Sequence, residues 1–282
     1  MNLLLGKPVA DKINEDLKTV IDDLKKKGIT PTLAVVRVGA REDDLAYERG
    51  LKKKFDSMEC GVVVMELPEN VSQEELDDTV SNLDKDPDIH GILMFRPLPR
   101  TLTDENIVRS ISAVKDSDCM GTANMANLFA GNGEGYAPCT AQAVIEMLKY
   151  YDIDLKGKKV TVVGRSLVIG KPVALMLIKE NATVTVCHTK TADLKAECRN
   201  ADIIVAAAGK AKMLTGEFVK EGQIVIDVGM NVDEEGNLCG DVAFDEVSEI
   251  VSAITPVPRG VGSVTTSVLL KNVVTGAVKS VG

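Results

Sequence analysis

The chain has 282 residues, 45% of them hydrophobic, enough to bury one large core or two modest ones. Its 33 basic against 42 acidic residues leave a net charge of −9, which repels phosphate backbones and anionic bilayers, so neither nucleic acid nor a membrane is an expected partner. Six scattered cysteines (Cys60, Cys119, Cys139, Cys187, Cys198, Cys239) without a C-x-x-C pair, and only two histidines, predict reduced thiols in a cytoplasmic protein and no metal site.

Leu3-Leu4-Leu5 is too short for a signal segment and is followed by charges from Lys7 onward. Val9, Ile13, Leu17, Val20, Ile21 and Leu24 recur at helical spacing, with Gly28 beyond them, and predict an amphipathic helix over 8–27. Strands are expected over Thr32–Val38, Val62–Leu67 and Gly91–Phe95, separated by polar helices near 43–58 and 72–85. Such alternation is the mark of a parallel sheet with covering helices. From Lys115 to Tyr136 the chain is rich in Gly, Asn and Asp and aperiodic, which predicts a loop or a domain transition. After a helix over 140–151, a second alternating block places strands at Val160–Val163, Thr183–Cys187, Ile203–Ala207, Gln223–Val228 and Ser252–Thr255, and a last helix at 265–281. Two α/β blocks predict a cleft between domains, where small-molecule sites concentrate.

The strand at 160–163 runs into Gly164-Arg165-Ser166-Leu167-Val168-Ile169-Gly170-Lys171-Pro172, and a helix starts there. Strand, glycine turn and helix N-terminus make a phosphate cradle, because free backbone N–H groups and the helix dipole face a ligand. An ordinary β–α turn is the alternative, since the spacing is not G-x-G-x-x-G. A P-loop is excluded: five residues separate the two glycines, and Pro172 stands where a magnesium-binding hydroxyl would be. The next strand ends Cys187-His188-Thr189-Lys190, with no carboxylate before Asp193 to select the free ribose of NAD. With Arg165 able to meet a 2′-phosphate, NADP is the expected cofactor and NAD stays possible. His188 reads equally well as a residue that merely ends the strand.

These residues, together with Asp227-Val228-Gly229, Gly240-Asp241-Val242 and Thr255-Pro256-Val257-Pro258, resemble in order and spacing the bifunctional methylenetetrahydrofolate dehydrogenase/methenyltetrahydrofolate cyclohydrolase family. Tyr47, Gly91-Ile92-Leu93, Pro97-Leu98-Pro99, Lys115-Asp116, Asp118 and Pro138-Cys139-Thr140 extend the resemblance over nearly the whole chain. It implies an α/β fold of two domains: an N-terminal α/β catalytic domain, residues 1–140 and 263–282, and a Rossmann-type dinucleotide-binding domain, residues 141–262, with a cleft between. It also implies a tetrahydrofolate substrate and a homodimer. By motif position Gly164, Arg165, Ser166, Thr189 and Met230 would contact the dinucleotide. Tyr47 would stack on the pterin and Asp118 would accept from its amino-pyrimidine edge, with Leu51, Phe95, Pro258, Gly260, Val261 and Gly262 completing the folate site.

The chain departs from the family where proton transfer is managed. The family motif is Tyr-x-x-x-Lys, yet Leu51 stands four residues after Tyr47, and Phe95 replaces the glutamine that positions that lysine. Lys52 is one helical step, about 100°, off the required face. Asp44, Cys119, Ala141, Arg259 and Ser263 are further changes, Cys119 and Arg259 at positions usually glycine, and Arg96 follows Phe95. Hydride transfer needs alignment rather than a base, whereas hydrolysis of the methenyl ring needs a positioned proton carrier. The expectation is therefore an NADP-preferring dehydrogenase with weak or lost cyclohydrolase activity and no residue assigned as a catalyst. A dehydrogenase acting on another substrate, or a dinucleotide-binding subunit without turnover, are the alternatives.

Overall fold

The computed structural model describes residues 1–281. In chain order the elements are β1 (Asn2–Leu3), α1 (Gly6–Lys26), β2 (Thr32–Val38), α2 (Glu42–Ser57), β3 (Gly61–Leu67), α3 (Gln73–Lys85), β4 (Gly91–Met94), α4 (Glu105–Ser110), α5 (Thr122–Ala130), α6 (Cys139–Tyr150), β5 (Lys159–Val163), α7 (Gly170–Lys179), β6 (Thr183–Cys187), α8 (Leu194–Asn200), β7 (Ile203–Ala206), β8 (Ile224–Asp227), β9 (Asn231–Val232), β10 (Leu238–Cys239), α9 (Phe244–Ser248), β11 (Ala253–Ile254) and α10 (Gly262–Lys279). Every strand expected from the sequence lies within one residue of its expected ends. The chain divides into two compact units, Lys12–Cys139 with the chain from Thr266 on, and Met1–Asp11 with Thr140–Thr265.

The first of these units holds a three-stranded parallel sheet in the order β3-β2-β4. The central strand β2 is buried on both faces after its first residue, as its run of Leu33, Ala34, Val35 and Val36 requires of a parallel strand covered on both sides. Leu76, Val80 and Leu83 of α3 supply part of that cover at helical spacing, packed with Ala34, Val36 and Ile92. Ser72 caps α3 by accepting from the Glu75 N–H at 3.1 Å, a bond worth about 1 kcal/mol. The later part of α10 rests directly on the start of β4. A Cβ at Gly276 would lie 2.2 Å from the His90 carbonyl oxygen, so only glycine permits the approach.

The stretch 115–136 is not simply a loop, because α5 occupies its middle. This helix is held by a buried carboxylate rather than by an apolar stripe. Asp116 accepts from the Met120 and Gly121 N–H groups at 2.8 and 2.9 Å and from Asn124 Nδ2 at 2.9 Å. Gly131, at φ +67°, ends the helix in the left-handed conformation. A nine-residue helix stabilised by polar contacts carries no periodic signal.

The second unit is a six-stranded, all-parallel sheet in the order β1-β11-β8-β7-β5-β6. The chain leaves β5 to one side for β6 and returns to its other side for β7, which makes the carboxyl ends of β5 and β7 a topological switch point. The expected assignment of residues 1–140 to one domain needs correction at its start. Residues 1–11 belong to the second unit, because Asn2 and Leu3 pair with Ala253 and Ile254 and extend its sheet. Two residues of edge strand are too short for any periodicity to reveal.

Candidate active site

The glycine turn sits at that switch point, and its two glycines have separate steric reasons. Gly164 has φ +134°, and a Cβ there would lie 2.0 Å from the Ala207 carbonyl oxygen at the end of β7. A Cβ at Gly170 would lie 2.3 Å from the Gly164 carbonyl oxygen, so the second glycine lets α7 begin directly on the turn. Residues 165–168 are exposed at the mouth of this cradle. Ser166 proves to be a cap as well as a candidate ligand contact. Its Oγ accepts from the Ile169 and Gly170 N–H groups at 3.1 and 3.3 Å, which leaves its hydroxyl proton to donate.

The Gly164 N–H donates to the Cys187 carbonyl at 2.9 Å, and this bond holds the turn bearing Arg165 beside the end of β6 that leads to Thr189. His188 shapes that end: its Nδ1 accepts from the Lys190 N–H at 3.1 Å, and its own N–H donates to Thr191 Oγ1 at 2.8 Å. The histidine is thus a turn residue, and exposed Thr189 is the side chain it presents.

Two buried carboxylates frame the neighbouring loops, a device the sequence showed only as two short motifs. Asp227 accepts from the N–H groups of Gly229, Asp241 and Val242 at 2.9–3.0 Å. Asp241 in turn accepts from Ala208, Gly209 and Lys210 N–H and from Asn231 Nδ2. The glycines are reciprocal. A Cβ at Gly229 would strike the Asp241 carboxylate at 2.4 Å, and one at Gly240 would strike Asp227 at 1.9 Å. Burial pushes the Asp227 carboxyl up to about 6, against its three donated bonds and with help from the Asp241 charge. Since the unfolded value is 3.8, the folded chain holds a proton that the unfolded chain lacks between about pH 4 and 6. Its contribution to stability should fall as pH rises through that window, by up to about 3 kcal/mol, and stay level above it. A carbon-13 carboxyl titration of Asp227 with a midpoint near 4 would contradict this.

Met230, 69% exposed, and the loop from Pro258 through Gly262 line one cavity of about 300 Å³ at the carboxyl ends of β8 and β11. The Val257–Pro258 bond within it is cis, as is Arg96–Pro97 in the other unit. Arg259 keeps φ +80° and Cys119 φ +54°, so both positions that the family usually fills with glycine retain a left-handed backbone here.

In the unit built on β2, Tyr47 and Phe95 lie with ring centroids 5.5 Å apart at 39°. Tyr47 is 43% exposed and offers its ring as a platform, while Phe95 is 7% exposed beneath it. Asp118 is half-buried, and its Oδ1 accepts from the Cys139 N–H at 2.8 Å, at the start of α6. Burial raises the Asp118 carboxyl above its ordinary value, opposed by the Cys139 N–H bond and by Arg96. Burial, and then the Asp118 charge, push the Tyr47 phenol up, so it stays protonated. Asn272 of α10, absent from the sequence expectations, donates to the Ser117 carbonyl at 2.9 Å and fixes the residue before Asp118. It is the one side-chain amide in α10, and that was the available signal.

Leu51 was expected on the substrate wall; it is 0% exposed and forms the core behind Tyr47 rather than a contact surface. Lys52 is committed elsewhere, its Nζ donating to Glu48 Oε1 at 2.7 Å. Glu48, itself buried, also accepts from Arg37 Nε at 3.0 Å. Burial opposes ionisation, but the bonds from Lys52 and Arg37 hold the Glu48 carboxyl below its ordinary value. Among the described residues no group of three or more His, Cys, Asp or Glu side chains could hold a metal, and no helix is long and apolar enough to cross a membrane. All six cysteines are free and buried.

Comparison with known proteins gives this geometry its family. Residues 4–118 match the tetrahydrofolate dehydrogenase/cyclohydrolase catalytic domain, and residues 138–281 match the NAD(P)-binding domain of the same family. The bifunctional protein FolD of Clostridioides difficile is 53% identical over 272 residues, covering 96% of this chain and 95% of that protein. The crystal structure of the bifunctional FolD methylenetetrahydrofolate dehydrogenase/cyclohydrolase from Campylobacter jejuni superposes with a TM-score of 0.96 at 43% identity, covering 99% of each chain. The FolD from Trypanosoma brucei, solved with NADP and an inhibitor, gives 0.92 at 37% identity and covers 99% of this chain and 98% of its own. A dinucleotide cradle at the switch point of one unit, an aromatic and carboxylate pair in the other, and matches over both domains place this chain in the tetrahydrofolate dehydrogenase/cyclohydrolase family.

Proposed function

We propose that the chain is a methylenetetrahydrofolate dehydrogenase that uses NADP and has little or no cyclohydrolase activity. One observation carries this reading: the positions where the family places its lysine and glutamine hold Leu51 and Phe95. Leu51 is wholly buried, Phe95 is packed against Tyr47, and Lys52 is bonded to Glu48.

The residues divide the work as follows. Tyr47 offers the pterin an aromatic face. Asp118 has Oδ1 engaged by the Cys139 N–H and the Cys139 thiol beside it, and a carboxylate has lone pairs to spare for donors on the amino-pyrimidine edge. The α7 N-terminus and the Gly164–Gly170 turn fit a pyrophosphate, since the glycines leave no Cβ in the way. NADP supplies the hydride acceptor, and the two electrons leave the methylene carbon with the hydrogen, so no side chain has to take a proton in that step. The cation left on the folate is shared by its own two nitrogens, and the protein's share is alignment. Hydrolysis of that cation requires protons to move to and from water and a ring nitrogen, and neither Leu51 nor Phe95 can carry one. The test is an assay of both half reactions on the purified protein.

NADP preference within this reading is supported by Arg165, by Thr189 and by the Gly164–Cys187 bond that ties the turn of the one to the strand leading to the other. Arg165→Ala should raise KM for NADP about 10- to 100-fold, the value of a charge-assisted hydrogen bond, and change KM for NAD little. Equal losses with the two cofactors would count against a 2′-phosphate contact. A homodimer is part of the same reading, supported by the resemblance and by β6, an edge strand with Val186 exposed.

A further inference from the structure

In the unit built on β2, a cavity of about 450 Å³ opens at the amino end of the sheet, where β2 and β4 begin. The turn after α1, the turn before β4, Val114 with Lys115, and the end of α10 enclose it, and all of these belong to the one compact unit. Phe95 and the other groups of the substrate platform are at the opposite end. From His90, which opens β4, to Phe95, which follows it, is five residues, about 16 Å of extended strand. The cavity is separate from the folate groups, and the dinucleotide cradle is in the other unit.

His90 lines this space, is 5% exposed and is only half used. Its Nδ1 accepts from the Thr32 N–H at 3.2 Å, so the ring proton sits on Nε2. That N–H has no acceptor among the described residues. It is not sealed in the core, where the enclosed side-chain atoms without a partner are Asn14 Oδ1, Tyr136 Oη and Ser267 Oγ, so the open space it meets is the cavity. Lys115 borders the same space. Its Nζ donates to the Asp86 and Leu83 carbonyls at 2.6 and 3.3 Å, which leaves a third N–H and the full positive charge. Burial first, and then the Lys115 charge, hold His90 below its ordinary pKa against the pull of Asp88 and Asp86, so at neutral pH the ring is an uncharged donor. Two donors, one of them charged, with no acceptor between them, suit an acceptor-rich anion and exclude a cation. Asp88, the one carboxylate on the lining, is exposed at the rim. We propose that the cavity is a second ligand site, in which His90 Nε2–H and the Lys115 ammonium bind the oxyanion, carboxylate or phosphate, of a small molecule. It stands independently of the folate reading.

The chain has two histidines, and they report on different places. His188 ends β6 beside the dinucleotide cradle, and His90 lies in the cavity. Proton–nitrogen NMR of both rings, with inorganic phosphate or acetate added to the full chain at neutral pH and constant ionic strength, therefore separates the two sites. The His90 Nε2 resonance should move saturably with at least one of the anions, with a Kd of about 1–10 mM, and the tighter of the two identifies the class of ligand. Lys115→Met should weaken this binding about 10-fold, followed at the His90 ring. His90→Asn, whose amide oxygen can keep the Thr32 bond, should melt close to the parent and weaken binding by a similar factor, followed at the Gly91 amide. Movement of the His188 ring alone would place the anion in the dinucleotide cradle and overturn the proposal. So would a His90 shift that rises without saturating, or affinities within about twofold of the parent in both variants.

Discussion

Mixed rapidly with methylenetetrahydrofolate and NADP, the protein should accumulate methenyltetrahydrofolate in step with reduced cofactor, and the methenyl absorbance should then decay only at the buffer rate. General acid–base catalysis contributes about 10²- to 10⁴-fold, so hydrolysis should be slower than in a relative with both residues by about that factor. In the proposed reading hydride transfer depends on alignment by Tyr47 and Asp118 and on the cradle at Gly164, none of which the departures remove. The relatives' names carry both activities, which makes the experiment decisive. Fast enzyme-dependent decay of the methenyl signal would show that another group carries the proton. Lys52 is the nearest candidate by sequence, but it would first have to give up its 2.7 Å bond to Glu48 and leave that buried carboxylate with Arg37 alone. Restoring the lysine at position 51 is not a simple converse. The site is fully buried, and desolvation would depress the new amine's pKa and destabilise the fold.

Asp118→Asn should weaken folate binding by about 10²-fold or more while leaving dinucleotide affinity within about twofold. Asparagine is the informative replacement because its amide oxygen can keep the Cys139 N–H bond at the start of α6, so the local structure survives. What it changes is the second oxygen, which becomes an N–H₂ group facing the donors of the pterin edge. A lost charge-assisted bond and a donor opposed to a donor act in the same direction. Titration with a fluorescent folate analogue measures the effect. Unchanged folate affinity in the variant would remove Asp118 from the substrate site and leave it as the residue that ties its loop to α6.

Local pattern carried much of this. Strand β2 has the ends that its apolar run predicts, since a strand buried in a parallel sheet must be apolar nearly throughout. The glycine turn was legible because each glycine there answers a steric demand that recurs wherever a strand enters a helix over a phosphate. Tyr47, Asp118 and the missing lysine were legible through motif order, and composition alone set aside nucleic acid and metal as expected partners.

Other features depend on contacts that leave no periodic trace in the sequence. Helix α5 is anchored by Asp116, which accepts from the Met120 and Gly121 N–H groups just before it and from Asn124 within it, and residues 1–11 join the second unit because β1 completes an edge of its sheet. No window of sequence contains both halves of the β1–β11 pairing, and the Asp116 contacts, though local, are polar and leave no periodic pattern. The same holds at the site. That Leu51 lies in the core, that Lys52 is held by Glu48 and Arg37, and that Gly229 and Gly240 each make room for the other motif's carboxylate are properties of side chains brought together by packing. Sequence by itself determined most of the elements and the family and named candidate site residues, because these follow from periodicity and from motifs read in order. Only the tertiary structure decided which of those residues are exposed, which are already bonded, and which, like Arg259, hold a strained backbone without a partner, because burial and hydrogen bonding are set by neighbours distant in the chain.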